Sequence, residues 1–167
     1  HSDIVRQQAL LKLYRPLKSV FLADVDVIVA TSPAYCDSSP VLQKHRSKVE
    51  VIPLGLSKYA LPNQPDKEIV ALWREKLGEG FFFFVGVLRY YKGLDVLIRA
   101  AVLSGVKVVI AGAGFEADNL QQQKELLGAD NVHLLGRITD DDKSALISLS
   151  RAIVLPSHVR SEAFGVS

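Results

Sequence analysis

Phe81-Phe82-Phe83-Phe84-Val85-Gly86-Val87-Leu88-Arg89-Tyr90-Tyr91-Lys92-Gly93-Leu94-Asp95 decides the fold. Four phenylalanines and a valine in a row leave no polar face, so 81–86 reads as a strand buried on both sides. Such strands belong to parallel sheets covered by helices. Working outward, the spacing predicts a helix at 66–77 ended by Gly78, then helix 92–103, strand 106–111 and helix 115–127. A strand at 131–135, a helix at 140–149 and a strand at 151–155 follow. Strands alternating with helices give an α/β fold, a Rossmann-like parallel sheet with helices on both faces.

Upstream the pattern is less regular. The first 22 residues read as a helix, with Ser2 as N-cap, apolar residues at helical spacing from Val5 to Phe21, and Pro16 expected to kink or divide it. Val25 to Ala30 reads as a buried strand. Thr31-Ser32-Pro33 opens a short helix toward Gln43, and Lys48 to Ile52 is a further strand. Residues 53–65, rich in proline, are the best linker, which divides the chain into 1–56 and 57–167.

Composition narrows the function. Of 167 residues, 49% are hydrophobic and 23% charged, and the net charge of +2 is too weak to argue for nucleic acid. No apolar run approaches the length of a membrane span. One cysteine, Cys36, excludes an intrachain disulfide framework and fits a reducing, cytoplasmic setting. The chain has no methionine and stops at Phe164-Gly165-Val166-Ser167 in mid-pattern, as an internal piece of a longer protein would.

In a wound parallel sheet, ligands bind outside the carboxyl ends of the strands, so the strand-to-helix loops carry the chemistry. Gly86 to Gly93 brings Arg89 and Lys92 to the mouth of a helix whose N–H groups favour an anion. A guanidinium fork beside an ammonium suits a diphosphate; the plain alternative is two solvated cations. Gly112-Ala113-Gly114-Phe115-Glu116-Ala117 matches a dinucleotide fingerprint, but the acid expected at the end of the next strand is missing, since that strand ends Leu134-Leu135-Gly136-Arg137. The glycines are expected simply to permit a tight turn. Thr139 is read as an N-cap and Asp140-Asp141-Asp142 as a solvated helix start, not a metal site. In the last loop, Glu162 suits hydrogen bonds from sugar hydroxyls; the plain alternative is a helix-capping acid. The backbone N–H groups of Phe164, Gly165 and Val166 are placed to face an anion. Trp73 is expected to pack, and His45, His133 and His158 lack partners at zinc-ligand spacing.

Together these loops resemble the family 4 retaining glycosyltransferases of the GT-B fold, known also as group 1 glycosyl transferases. The matching stretches are Val85 to Asp95, Ile110-Ala111-Gly112-Ala113-Gly114, Leu134-Leu135-Gly136-Arg137, and Leu155-Pro156-Ser157 leading to Glu162-Ala163-Phe164-Gly165. Val51-Ile52-Pro53-Leu54-Gly55 resembles the approach to the interdomain linker, and His1-Ser2-Asp3 the histidine motif of the acceptor domain. The wording of the Arg-Tyr-Tyr-Lys-Gly-Leu-Asp and His-Ser-Asp-Ile-Val stretches looks most like bacterial mannosyltransferases of O-antigen or exopolysaccharide assembly.

The resemblance implies that 1–56 is the tail of an acceptor domain and 57–167 a donor domain truncated at its end. It implies that Gly86, Arg89 and Lys92 hold the diphosphate of a nucleotide-sugar such as GDP-mannose or a UDP-sugar, with Arg137, Ile138 and Lys143 bordering the base. Glu162 would contact the transferred sugar and His1 one of its hydroxyls, with no metal and no other cofactor. A second glutamate of the family falls beyond Ser167, so the isolated piece is expected to be inactive. The acceptor would be a glycan or a lipid-linked one, reached through the missing domain at the inner face of the plasma membrane. The basic amphipathic stretch 3–22 suits a membrane face, although a core-facing helix with a basic outer side is the plainer use. The rivals are a dehydrogenase, a phosphorylase-like enzyme and a non-catalytic nucleotide-binding or interaction module of the same fold. The Asp24-Val25-Asp26 spacing found in metal-dependent sugar transferases is set aside, because these aspartates precede a strand instead of following one.

Overall fold

The computed structural model describes residues 8–53, 55 and 64–157. The described residues fall into two compact units that divide between residues 57 and 58. In the first unit, helix α1 (Gln8–Asp24) leads to strand β1 (Ile28–Ala30), the short helices α2 (Pro33–Ser38) and α3 (Pro40–Lys44), a 3-10 turn (Arg46–Lys48) and strand β2 (Val49–Val51). Strands β1 and β2 pair in parallel, Ile28 opposite Val49 and Ala30 opposite Val51. A small core of Ala30, Cys36, Leu42 and Val49 lies beneath them. The Ser32 hydroxyl caps α2 by accepting from the Tyr35 N–H at 3.1 Å.

The strand expected to be buried over 25–30 is regular only over Ile28–Ala30, with Val29 exposed, and proline chemistry decides two further outcomes. Helix α1 runs through Pro16 undivided and forgoes the backbone bond that proline has no N–H to make. The helix expected from Pro33 to Gln43 is instead two, because Ser39 precedes Pro40 and takes an extended backbone (φ −88°, ψ 115°). The N-terminal part of the expected first helix and most of the expected linker lie outside the described residues.

The second unit holds α4 (Lys67–Leu77), β3 (Phe82–Val85), α5 (Leu94–Ser104), β4 (Val108–Ala111), α6 (Ala117–Leu126), β5 (Val132–Gly136), α7 (Asp140–Leu149) and β6 (Ala152–Ile153). Four parallel strands stand in the order β5-β4-β3-β6. Period-two alternation divides the apolar strands between two helical layers. Phe84, Val108, Ile110 and Val132 pack with Leu94, Ile98 and Ala101 of α5 and Leu120 of α6. Phe81, Phe83, Val109 and Ala111 face the other way, onto Leu77 of α4 and Leu146 and Leu149 of α7. Burying each such phenylalanine contributes about 2–3 kcal/mol.

Several boundaries shift by a residue or two, strand 106–111 beginning at Val108 and helix 115–127 at Ala117, and two further shifts border the carboxyl edge. The strand expected at 151–155 is regular only over Ala152–Ile153, although the Arg151 and Val154 N–H groups still bond Phe81 and Phe83 carbonyls at 2.8 Å. The helix expected from Lys92 begins at Leu94, after a 3-10 turn over Tyr90–Lys92.

Candidate functional site

From β3 the chain crosses α5 to β4 and α6 to β5, then returns over α7 to β6 on the far side of β3. The direction of winding therefore reverses between β3 and β6. In open α/β sheets the ligand crevice lies at such a reversal, outside the carboxyl ends. The two loops that border it are Gly86 to Gly93, after β3, and the segment beginning at Val154, after β6.

The first of these loops is held from behind. Backbone bonds continue past the ends of the strands: Gly86 N–H to Ala111 O at 3.1 Å, Leu88 N–H to Ala113 O at 3.0 Å, Glu116 N–H to Leu88 O at 3.3 Å, and Gly112 N–H to Gly136 O at 2.6 Å. The approach leaves no room for side chains. A Cβ on Gly112 would sit 1.8 Å from the Gly86 carbonyl oxygen, and one on Gly114 would sit 2.1 Å from that of Leu88. The glycines of the dinucleotide-like stretch thus do more than permit a tight turn. They let the loops after β3 and β4 lie backbone to backbone, and this close packing accounts for the spacing that a dehydrogenase reading would have used.

The loop carries its two cations differently. Arg89 is exposed, with its guanidinium 5.0 Å from the centre of the Phe115 ring. Lys92 is buried, 6% exposed, with its ammonium 5.8 Å from the Tyr91 ring, and Tyr91 in turn packs edge-on against Tyr90. A lysine that deep is no ordinary solvated cation. Gly93, in the left-handed conformation at φ 66°, closes the 3-10 turn and caps α5 without a side chain. The first N–H groups of α5 therefore have no side-chain cap at Gly93.

The β5–α7 loop is built on the opposite plan. Thr139 caps α7 as expected, in a reciprocal box: its hydroxyl accepts from the Asp142 N–H at 3.1 Å, while Asp142 Oδ2 accepts from the Thr139 N–H at 3.1 Å. The other oxygen of Asp142 accepts from the Trp73 indole at 2.8 Å, so α4 is tied to the start of α7. The Trp73 bond, followed by those from Thr139, holds the Asp142 carboxyl below its ordinary range. Asp140 is lowered too, by its hydrogen bond from Lys143.

Of the residues expected to border a base, Arg137 is exposed, Ile138 packs onto the α4–α7 core, and Lys143 pairs with Asp140 at 2.7 Å. His1, Glu162, Phe164, Gly165 and Val166 lie outside the described residues. Two contacts were missed by sequence reasoning. The Trp73–Asp142 bond joins elements far apart in the chain. Phe115 stood in a quoted motif, but an aromatic beside two glycines gives no local sign of a guanidinium partner.

The sequence profile of the group 1 glycosyl transferases matches residues 66–167. The chain belongs to the group 1 glycosyl transferases. It is 55% identical over 167 residues to D-rhamnosyltransferase WbpZ of Pseudomonas aeruginosa, covering all of this chain and 44% of that protein. It is 48% identical to O-antigen chain mannosyltransferase C of Escherichia coli, again over 100% of this chain and 44% of the relative. The chain therefore spans less than half the length of these two transferases. The structure of Anabaena HepE in complex with UDP superposes with a TM-score of 0.70 at 19% identity, covering 94% of this chain and 45% of that one. This likeness shows the fold, which is GT-B.

Proposed function

We propose that this group 1 glycosyl transferase chain is part of a retaining enzyme that moves a hexose from a nucleotide-diphospho-sugar to a glycan or lipid-linked acceptor. Residues 57–167 form the donor side and 1–56 the end of the acceptor side. The observation that carries the proposal is the Gly86–Gly93 loop: a braced backbone, one exposed and one buried cation, and a helix start with no side-chain cap, all at the carboxyl edge where the sheet reverses.

In this reading Arg89 and Lys92 hold the diphosphate and take up the negative charge that develops as the nucleotide leaves, with Gly86 beneath it. Fixed charges aimed at a developing charge often accelerate a reaction more than any other device in an active site. Arg137, Ile138 and Lys143 border the base. Glu162 and the N–H groups of Phe164, Gly165 and Val166 meet the sugar, and His1 bonds one of its hydroxyls. No metal takes part. The two similar transferases, named for rhamnose and mannose, favour GDP-mannose or a related donor, and the UDP complex of HepE supports the nucleoside diphosphate class. The work is assigned to the cytoplasm, at the inner face of the membrane. No helix among the described residues is long and apolar enough to cross a membrane. On α1, Leu17, Val20 and Phe21 are exposed, and we assign that face to the remainder of the acceptor domain.

Calorimetric titration with GDP and UDP tests the proposal. Arg89→Ala removes charge-assisted hydrogen bonds of about 1.5–3 kcal/mol, which corresponds to a loss of roughly 10- to 100-fold in affinity. Lys92→Ala is expected to weaken binding in the same sense. Equal affinity in both variants overturns the assignment.

A further inference from the structure

Phe115 is 84% exposed, and the Arg89 guanidinium lies 5.0 Å from the centre of its ring. A ring left in water adds little to folding, so its position calls for another explanation. That position is imposed by the backbone around it. Gly114 lies against the Leu88 carbonyl, and the Glu116 N–H bonds that same carbonyl at 3.3 Å. Phe115 stands between these two residues, and Arg89 directly follows Leu88. The ring and the guanidinium are thus presented to each other by two loops that cannot slide apart without breaking the backbone bonds between them.

We infer that Phe115 is a positioning residue: its ring holds the Arg89 guanidinium in place ahead of α5 before an anion arrives. The inference rests on the diphosphate reading of this loop and deepens it. An exposed arginine samples many rotamers, and a ligand that needs one of them must bear the cost of ordering it. A guanidinium resting on an aromatic face is already confined, because the ring's negative face attracts it. Phe115 thereby raises affinity through Arg89 without touching the nucleotide.

The test uses the whole 167-residue chain, titrated with GDP and UDP, with side-chain nitrogen-edited NMR of Arg89 in the absence of ligand. Phe115→Leu keeps the bulk and removes the aromatic face. It is expected to weaken binding by about 2- to 5-fold, the usual range for such a contact at an exposed site, while Phe115→Trp retains it. The Arg89 Nε proton is expected upfield of its ordinary position in the parent and to return to that position in Phe115→Leu. The melting temperature should be unchanged, since the ring is exposed. In an Arg89→Ala background, Phe115→Leu should have no further effect.

The failures are separable. If Phe115→Leu binds like the parent while Arg89→Ala is weakened, the inference falls and the diphosphate reading stands. If Phe115→Leu still weakens binding in the Arg89→Ala background, the ring touches the ligand itself and the positioning role is wrong. If Arg89→Ala binds like the parent, or the parent gives no heat with either nucleotide, the diphosphate reading falls and takes the inference with it.

Discussion

Helices α5 and α7 both begin at the carboxyl edge of the same sheet, and their starts are chemical opposites. Helix α7 satisfies itself: Thr139 and Asp142 bond reciprocally, three aspartates occupy its first turn, and Lys143 answers Asp140. Its positive end already has negative groups on it and would repel an incoming phosphate. Helix α5 has Gly93 where α7 has Thr139, with Lys92 and Arg89 just ahead. Its one early acid, Asp95, is bonded to Arg99 four residues on, at 2.9 Å. Two helix starts of one domain thus differ in kind: α7 is closed by its own side chains, and α5, in the proposed reading, is the one left for a ligand.

The contrast can be broken most forcefully from behind the α5 start. Gly114→Ala drives a methyl group into the Leu88 carbonyl, and the obstacle is backbone, which cannot swing aside. A loss of about 3 kcal/mol in denaturant-measured stability is expected, together with a loss of nucleotide affinity, because the Arg89 loop must move. Unchanged stability would show that the loops are not packed as described. A smaller effect belongs to the start of α7. Thr139→Ala removes a cap worth about 1 kcal/mol and should lower thermal stability while reducing GDP or UDP affinity far less than Arg89→Ala does. A reversal of that order would mean that α7, not α5, faces the anion.

The smallest effect is one of pH, in the strand that feeds α7. Burial, followed by the charges of Lys107 and Lys124, lowers the His133 pKa below 6.5. Between the folded and unfolded values the unfolded chain binds more protons, so stability rises with pH there. This contribution is complete above about pH 6.5 and is lost as the pH falls through the folded value. His133→Gln should flatten that slope in melts across the mildly acidic range; an unaltered slope would assign it to other groups.

What was legible in the sequence is what local chemistry dictates. Continuous apolar runs revealed the buried strands, and Thr139 revealed its helix because capping involves neighbours in the chain. The basic residues of 86–93 stood out from position alone, because they follow a buried strand at the carboxyl edge of a parallel sheet. Ser39 was missed because its conformation is set by the ring of Pro40, a rule that overrides the helical pattern around it. The purpose of Gly112 and Gly114 was missed for a different reason. Their partners, the carbonyls of Gly86 and Leu88, become neighbours only when β3 and β4 pair. The same holds for Phe115 and Arg89, and for Trp73 and Asp142, whose contacts exist only after the layers assemble.

The bonds between the β3 and β4 turns also count residues. Each carbonyl meets its N–H only if both turns keep their present lengths, so an insertion or deletion in either would throw the two out of step. Beyond the first backbone rung, Val108 N–H to the Asn131 carbonyl at 2.9 Å, the amino-end turns at 105–107 and 127–131 are tied by a side chain, the Asn131 amide donating to the Val106 carbonyl at 2.7 Å, and a side chain can reach where a backbone rung cannot. Related chains should therefore vary in length at that opposite rim, and change at the carboxyl rim only by exchanging one side chain for another.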